Sequence, residues 1–257
     1  MVLSAELKWY SGSALTSRAS DYLAIVDAFR ATSMVSVMLH LGVRRIIPVA
    51  GVDEALKMKE ENSDFILVGE ERGIMPPGFS YGNSPSQLYS AASGGLLKGA
   101  TVVHRSSAGT QSISAALKSK REGAKYTIVT SSMLDASSVA SYIMRRNGGR
   151  DERLTVVCSG YVDKLYALED EIAAGALLSS LKEIDPSLKM NEVATSAYLA
   201  YRGVNGENLP KLLRGTRSGA KIIEVGQESD IDFCSRFNIF DDVVGVADGV
   251  AISNALS

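Results

Sequence analysis

Cysteine is scarce, with only Cys158 and Cys234 in 257 residues. Both lie in apolar stretches, "LTVVCSG" and "IDFCSRF", which predicts buried free thiols in a reducing compartment. Histidine is as rare, His40 and His104, and that disfavours a histidine-rich zinc site. No run approaches the ~20 apolar residues of a membrane span. The opening "MVLSAELKWYSGSALTSRAS" lacks the basic start and long apolar stretch of a signal peptide. A cytoplasmic protein with no membrane partner is therefore expected. Neither sign of charge is in excess: 27 basic and 29 acidic residues give −2. That argues against a nucleic-acid partner, which needs a basic face.

Several signatures are missing too. There is no G-x-x-x-x-G-K-[ST] loop, no G-x-G-x-x-G and no G-x-S-x-G, which argues against ordinary P-loop, Rossmann and nucleophile-elbow chemistry. A cysteine phosphatase would place Arg six positions after its nucleophile; Lys164 and Phe240 stand there instead. A D-x-D aspartyl-phosphate motif at Asp27 is broken by Phe29.

What is present is an alternation of short apolar runs with helix-length segments. "DYLAIVDAF" (21–29), "RRIIPVAG" (44–51), "DFILVGE" (64–70), "ATVVHRS" (100–106), "KYTIVTS" (125–131) and "RLTVVCSG" (153–160) read as strands. Helical patterns follow them, among them "TSMVSVMLHLG" (32–42), closed by Gly42, and "DASSVASYIMRRNGG" (135–149). The text after residue 182 is mostly helical, and "DVVGVAD" (242–248) is a last strand. This predicts an α/β fold, a largely parallel or mixed sheet with helices on both faces. Nothing divides the chain, so residues 1–257 read as a single domain, with two closely packed subdomains as the alternative.

In such sheets function collects at the carboxyl ends of strands, and here those ends are polar. Asp27 and Arg30 follow the first run, and Thr32 and Ser33 open its helix. Free N–H groups there suit an anion, and the guanidinium fork matches phosphate. Asp27 would then be a metal ligand or a nucleophile. The alternative is an Asp27–Arg30 ion pair with Thr32 as a helix cap. Glu70 and Glu71 are adjacent and point opposite ways if extended, so one faces the site. "SSAGT" (106–110) resembles a phosphate-cradling turn, and Ser84–Pro85 reads as a helix start. Apolar residues 165, 168 and 172 form one face of a helix that leaves Glu169 and Asp170 solvated if it stands alone. Carboxylates with few histidines suit Mg²⁺.

Taken in order, "VDAFRATS", "ILVGEERGIMPPGFSYGNSP", "SSAGT", "CSG", "ALEDEIAAG" and "SGAKIIEVGQESDIDFCSRFN" resemble the 2-phosphosulfolactate phosphatase (ComB-like) family. The match runs from Val26 to about Asn238. The resemblance implies an α/β enzyme that hydrolyses a small phosphate monoester with Mg²⁺, in the route to coenzyme M. It implies catalytic roles for Asp27, Arg30 and Glu70, with Arg72, one place beyond the family's arginine, as a further catalytic candidate. Substrate contacts fall to Thr32, Ser33, Asn83, Ser84, Ser107, Gly109, Thr110, Ser159 and Gly160, and metal contacts to Asp27, Glu70, Glu169 and Asp170. The chain departs from the family pattern at Glu71, Arg72, Ser80, Ala108 and Ser159, which bears on the substrate.

The expected function is therefore a Mg²⁺-dependent phosphomonoesterase acting on 2-phosphosulfolactate or a related hydroxy-acid phosphate. The rival is a non-catalytic binding protein for such a metabolite. A homo-oligomer stays open, since segment 190–240 could cover a partner. Asp27 and Glu70 are expected to close parallel strands at one sheet edge and to converge on one cation.

Overall fold

The computed structural model describes residues 3–92, 94–146, 150–204 and 208–256. In chain order the elements are β1 (Leu3–Trp9), α1 (Ser11–Thr16), β2 (Tyr22–Val26), α2 (Ala31–His40), β3 (Arg45–Val49), α3 (Val52–Glu61), β4 (Ile66–Gly69), α4 (Pro85–Ala92), β5 (Thr101–Arg105), α5 (Gly109–Arg121) and β6 (Thr127–Ser131). There follow α6 (Ala136–Arg146), β7 (Glu152–Cys158), α7 (Leu168–Ile184), β8 (Lys189–Met190), α8 (Glu192–Gly203), α9 (Leu209–Arg214), α10 (Arg217–Glu224), α11 (Ser229–Cys234), β9 (Gly245–Asp248) and β10 (Ala251–Asn254). The expected last turn of α6, residues 147–149, lies outside the described residues.

The six apolar runs become β2 to β7, as expected. Strand β9 lies within the seventh expected run, 242–248, and three strands fall outside the expected runs: β1, β8 and β10. In β1, Leu3, Ala5 and Leu7 are buried while the residues between them are half-exposed, the period-2 pattern of a strand with one face inward. Strand β8 has two residues. Strands β9 and β10 form a hairpin across Asp248 and Ala251.

All ten strands join one mixed sheet in the order β4-β5-β3-β10-β9-β6-β2-β7-β1-β8. Strands β4, β5 and β3 are mutually parallel, and so are β6, β2, β7, β1 and β8. The β9–β10 hairpin sits between the two blocks, and its three pairings are all antiparallel. The blocks therefore run in opposite directions. This corrects the expectation that Asp27 and Glu70 close parallel strands at a shared edge, because β2 and β4 belong to opposing blocks. Sheet twist of about 20–25° per step accumulates over the five steps from β2 to β5 and turns back roughly 100–125° of that reversal. The ends of the two blocks can then face one another.

Helix α2 lies where the blocks meet. Nine of its ten residues are buried, as an internal helix requires. Apolar residues of α2, β2, β3 and β5 share one core cluster with β6 and the hairpin, while β1, β7, α6, α7 and α8 form the other large one. Cys158 and Cys234 are buried and free, as predicted. Among the described residues no helix is long and apolar enough to cross a membrane.

Candidate active site

Asp27 follows the last residue of β2, and the chain turns there directly into α2. The Thr32 N–H and hydroxyl donate to the Asp27 carbonyl at 2.9 and 2.8 Å, and the Asp27 N–H donates to the Thr32 hydroxyl at 3.0 Å. The Ser33 hydroxyl donates to the Ala28 carbonyl at 2.8 Å. Thr32 and Ser33 thus knit the turn from beneath. The carboxylate of Asp27 accepts the Ala31 N–H at 3.1 Å through Oδ1. Arg30 does not pair with Asp27, which corrects that alternative. Its Nη1 donates to Asp230 Oδ2 at 2.6 Å and to Gln227 Oε1. The Phe29–Arg30 peptide is cis.

The ends of β4 and β5 supply the facing wall. Glu70 is buried, and its two oxygens accept the N–H groups of Ser107 and Gly73, each at 2.6 Å, and the Ser107 hydroxyl at 3.1 Å. Glu71 turns outward to meet Arg105 at 3.3 Å, so Glu70 is the inward member of the pair. Arg72, with φ +55°, lines the cavity while exposed to solvent. Asn83 lines it too, its Oδ1 3.0 Å from His104 Nε2. Ser84 donates to Asp230 at 2.8 Å. Ser106 and Thr110 lock the start of α5: the Ser106 N–H donates to the Thr110 hydroxyl at 2.9 Å, and the Thr110 N–H to the Ser106 hydroxyl at 3.0 Å. Gly109 packs so closely on the turn from β2 into α2 that a Cβ there would lie 2.5 Å from Ala31 Cβ and 2.7 Å from Asp27 Oδ2.

The third wall is the end of β7 and the start of α7. Asp170 accepts the Ala28 N–H and the Gly160 N–H, each at 2.8 Å. Gly160 has φ +72°, and a Cβ there would stand 2.6 Å from the Leu165 carbonyl, so the turn requires glycine. Glu169 and Asp170 are both about 2% exposed. The helix read alone left them solvated; packing its N-terminus against the strand ends buries them. Leu165, assigned to the helix's apolar face, precedes the helix and is exposed. Ser159 lies behind the wall, its hydroxyl bonded to that of Ser112 at 3.0 Å.

Together these elements enclose a cavity of about 330 Å³. Asp27, Arg30, Glu70, Arg72, Asn83, Ser107, Gly160, Glu169 and Asp170 line it, while Thr32, Ser33, Ser84, Gly109, Thr110 and Ser159 support it. Four strand ends meet there, those of β2, β4, β5 and β7. So do the N-termini of α2, α5, α7 and α10, the last bringing Ser218, while Lys221 reaches the cavity from the last turn of α10. These helix starts turn the positive end of the dipole toward the cavity, but the Ala31, Thr32 and Thr110 N–H groups are already taken by Asp27 and Ser106, which corrects the expectation of free N–H groups at Thr32.

The same cavity gathers four carboxylates. Burial pushes the Asp27 carboxyl up to about 7, with the Glu169 and Glu70 charges adding to it against the Ala31 and Gly109 N–H groups. Burial raises Glu169, and burial plus the Asp27 and Glu169 charges raise Asp170 well above its ordinary range. Oε2 of Glu169 is buried with no partner. Among the described residues no three acidic, His or Cys side chains close into a ready coordination sphere. The unpartnered oxygen of Glu169 is the one observation here of a kind that suits a hard cation, whose shell waters and a substrate oxygen would complete.

The family model of 2-phosphosulpholactate phosphatase matches residues 12–249. The chain is 28% identical over 219 residues to a probable 2-phosphosulfolactate phosphatase of Carboxydothermus hydrogenoformans, covering 85% of this chain and 83% of the relative. It is 31% identical over 230 residues to one of Thermotoga maritima (89% and 90%), and 27% identical over 216 residues to one of Clostridium acetobutylicum (84% and 85%). The chain belongs to this family.

Proposed function

We propose that this member of the 2-phosphosulpholactate phosphatase family hydrolyses 2-phosphosulfolactate or a closely related small hydroxy-acid phosphate, with Mg²⁺ as cofactor. The observation that carries the reading is the convergence of four helix N-termini and Arg30 on a cavity whose walls also hold Asp27, Glu70, Glu169 and Asp170. Anion-attracting and cation-attracting groups face one another there, which is what a phosphate bound through a metal needs. A coenzyme M setting, implied by the motif resemblance, belongs to this reading.

In the reaction so proposed, Arg30 holds the phosphoryl oxygens, and the positive dipole ends of α2 and α5 help to stabilise the charge that develops on them. Asp27 stands at the tip of β2 either to attack phosphorus or to take the proton of an attacking water. Arg72 and Lys221, at the rim, attract the substrate's other anionic group. Glu70 is held rigid by Gly73 and Ser107, and Asp170 by Ala28 and Gly160, so both are preorganised. Asp27, Glu70, Glu169 and Asp170 are the residues that would hold the metal. When bound, Mg²⁺ would neutralise phosphoryl oxygens and acidify a coordinated water.

The test is phosphate release from a panel of small phosphate esters, 2-phosphosulfolactate among them, with Mg²⁺ and with EDTA. Release that EDTA abolishes is expected. No release from any ester, together with thermal stabilisation by those esters, would favour a binding protein.

A further inference from the structure

Asp230 lies 200 positions from Arg30 in the chain and forms no part of the cavity wall. It is nevertheless bonded to Arg30, a cation of that wall. It is fully buried in α11. Oδ2 accepts Arg30 Nη1 at 2.6 Å. Oδ1 accepts three donors from the start of α4: the Ser84 hydroxyl at 2.8 Å, the Ser86 N–H at 3.0 Å and the Ser86 hydroxyl at 2.6 Å. Four donors saturate the carboxylate and leave it one orientation. Arg30 Nη1 also donates to Gln227 Oε1, just before α11. Its Nη2 and Nε take no protein partner among the described residues, and the side chain lines the cavity.

We infer that Asp230 is the positioning residue for Arg30: it holds one edge of the guanidinium so that Nη2 and Nε face the cavity as a preset fork for phosphate. The inference rests on the phosphatase reading of the same cavity. An arginine fork grips two oxygens only when its plane is fixed. A flexible arginine would have to be ordered by the substrate at each turnover, at an entropic cost that a preset one avoids. The arrangement also gives "ESDIDFCSRFN" a part in the chemistry. Through Asp230 and Gln227, the segment that follows α10 reaches Arg30 without touching substrate.

The test uses the full chain with Asp230→Asn, and Gln227→Met as a second variant that leaves the buried ion pair intact. The first readout is the ¹⁵Nε–H signal of Arg30 by NMR, which needs no activity. Asp230→Asn should lower its order parameter and shift its resonance, and Gln227→Met should do so to a smaller degree. An unchanged Arg30 signal in a folded Asp230→Asn protein would overturn the inference. The second readout is phosphate release. Asp230→Asn should lower kcat/KM by roughly ten- to a hundredfold, the range of a lost charged hydrogen bond, and the loss should vanish when Asp230→Asn is made on an Arg30→Met background. Equal losses on both backgrounds would show that Asp230 acts on the fold and not through Arg30, which also overturns it. If the wild-type chain releases phosphate from no ester, the phosphatase reading fails; the NMR arm then decides the positioning claim alone.

Discussion

Adding one methyl group at Gly109 separates the site's geometry from its stability. The first residue of α5 touches the turn from β2 into α2 so tightly that a Cβ would stand 2.5 Å from Ala31 Cβ, 2.7 Å from Asp27 Oδ2 and 2.9 Å from Asp27 Cβ. Carbon–carbon contacts are optimal near 3.5–4.0 Å, so Gly109→Ala must push two rigid elements apart by about 1 Å. Overpacking of this kind costs about 1–3 kcal/mol. Replacing Gly by Ala in a helix returns up to ~1 kcal/mol. The net is a destabilisation of about 0–3 kcal/mol, or roughly 0–12 °C in Tm for a chain of this size. Activity should suffer far more, because a displacement of ~1 Å at a reacting group costs about 100-fold. Gly12→Ala is the control, since a Cβ at Gly12 meets nothing within 4 Å. Phosphate release and thermal unfolding of both variants make the assay. A Gly109→Ala protein whose kcat/KM stays within threefold of wild type would refute the placement of Asp27 at the reacting centre.

Other perturbations have equally definite outcomes. Arg30→Lys keeps a charge near Asp230 but loses the fork; kcat/KM should fall by roughly ten- to a hundredfold, a loss of about 1–3 kcal/mol, and unchanged turnover would show Arg30 to be structural. Glu70→Gln should weaken Mg²⁺ binding in calorimetry while Glu71→Gln leaves it alone, because Glu71 faces solvent and Arg105; equal effects would contradict the assignment. Burial holds His104 down at about 4, below the ~6.5 of an unfolded histidine. The unfolded chain therefore takes up the proton first as pH falls. The contribution to stability is complete above about 6.5 and is lost as pH drops from there towards 4, by about 3 kcal/mol in all. His104→Gln should flatten that part of the urea-stability profile, and an unaltered slope would show that His104 titrates normally.

Much of the fold can be read from local pattern, because seven of the ten described strands, β2 to β7 and β9, lie in apolar runs bounded by turns. The reversal between the two blocks cannot, since it depends on the β9–β10 hairpin entering the middle of the sheet from the far end of the chain. Strand β1 does carry a local signal, since Leu3, Ala5, Leu7 and Trp9 alternate with Ser4, Glu6 and Lys8, the period-2 pattern of a strand with one face inward. At the site, Asp27 and Glu70 stand out as acids at the tips of apolar strands. Glu169 and Asp170 do not, because an acid in the first turn of a helix normally faces water and is stabilised there by the dipole. Asp230 is harder still: "SDID" has two acids two residues apart, and nothing local says that Asp230 is buried against an arginine 200 positions away while Asp232 meets Arg214 at the surface. Where these side chains go is decided by tertiary packing, and short-range spacing does not encode it.

The central claim is that phosphate and metal meet in this one cavity. A crystal grown from the intact chain with Mg²⁺ and inorganic phosphate tests it most directly. The account predicts phosphate against Arg30 and the N-termini of α2 and α5, with Mg²⁺ bridging it to Asp27 and at least one of Glu70, Glu169 and Asp170. A well-ordered phosphate bound elsewhere, or a cavity holding phosphate with Asp27 turned away from both ions, would contradict it.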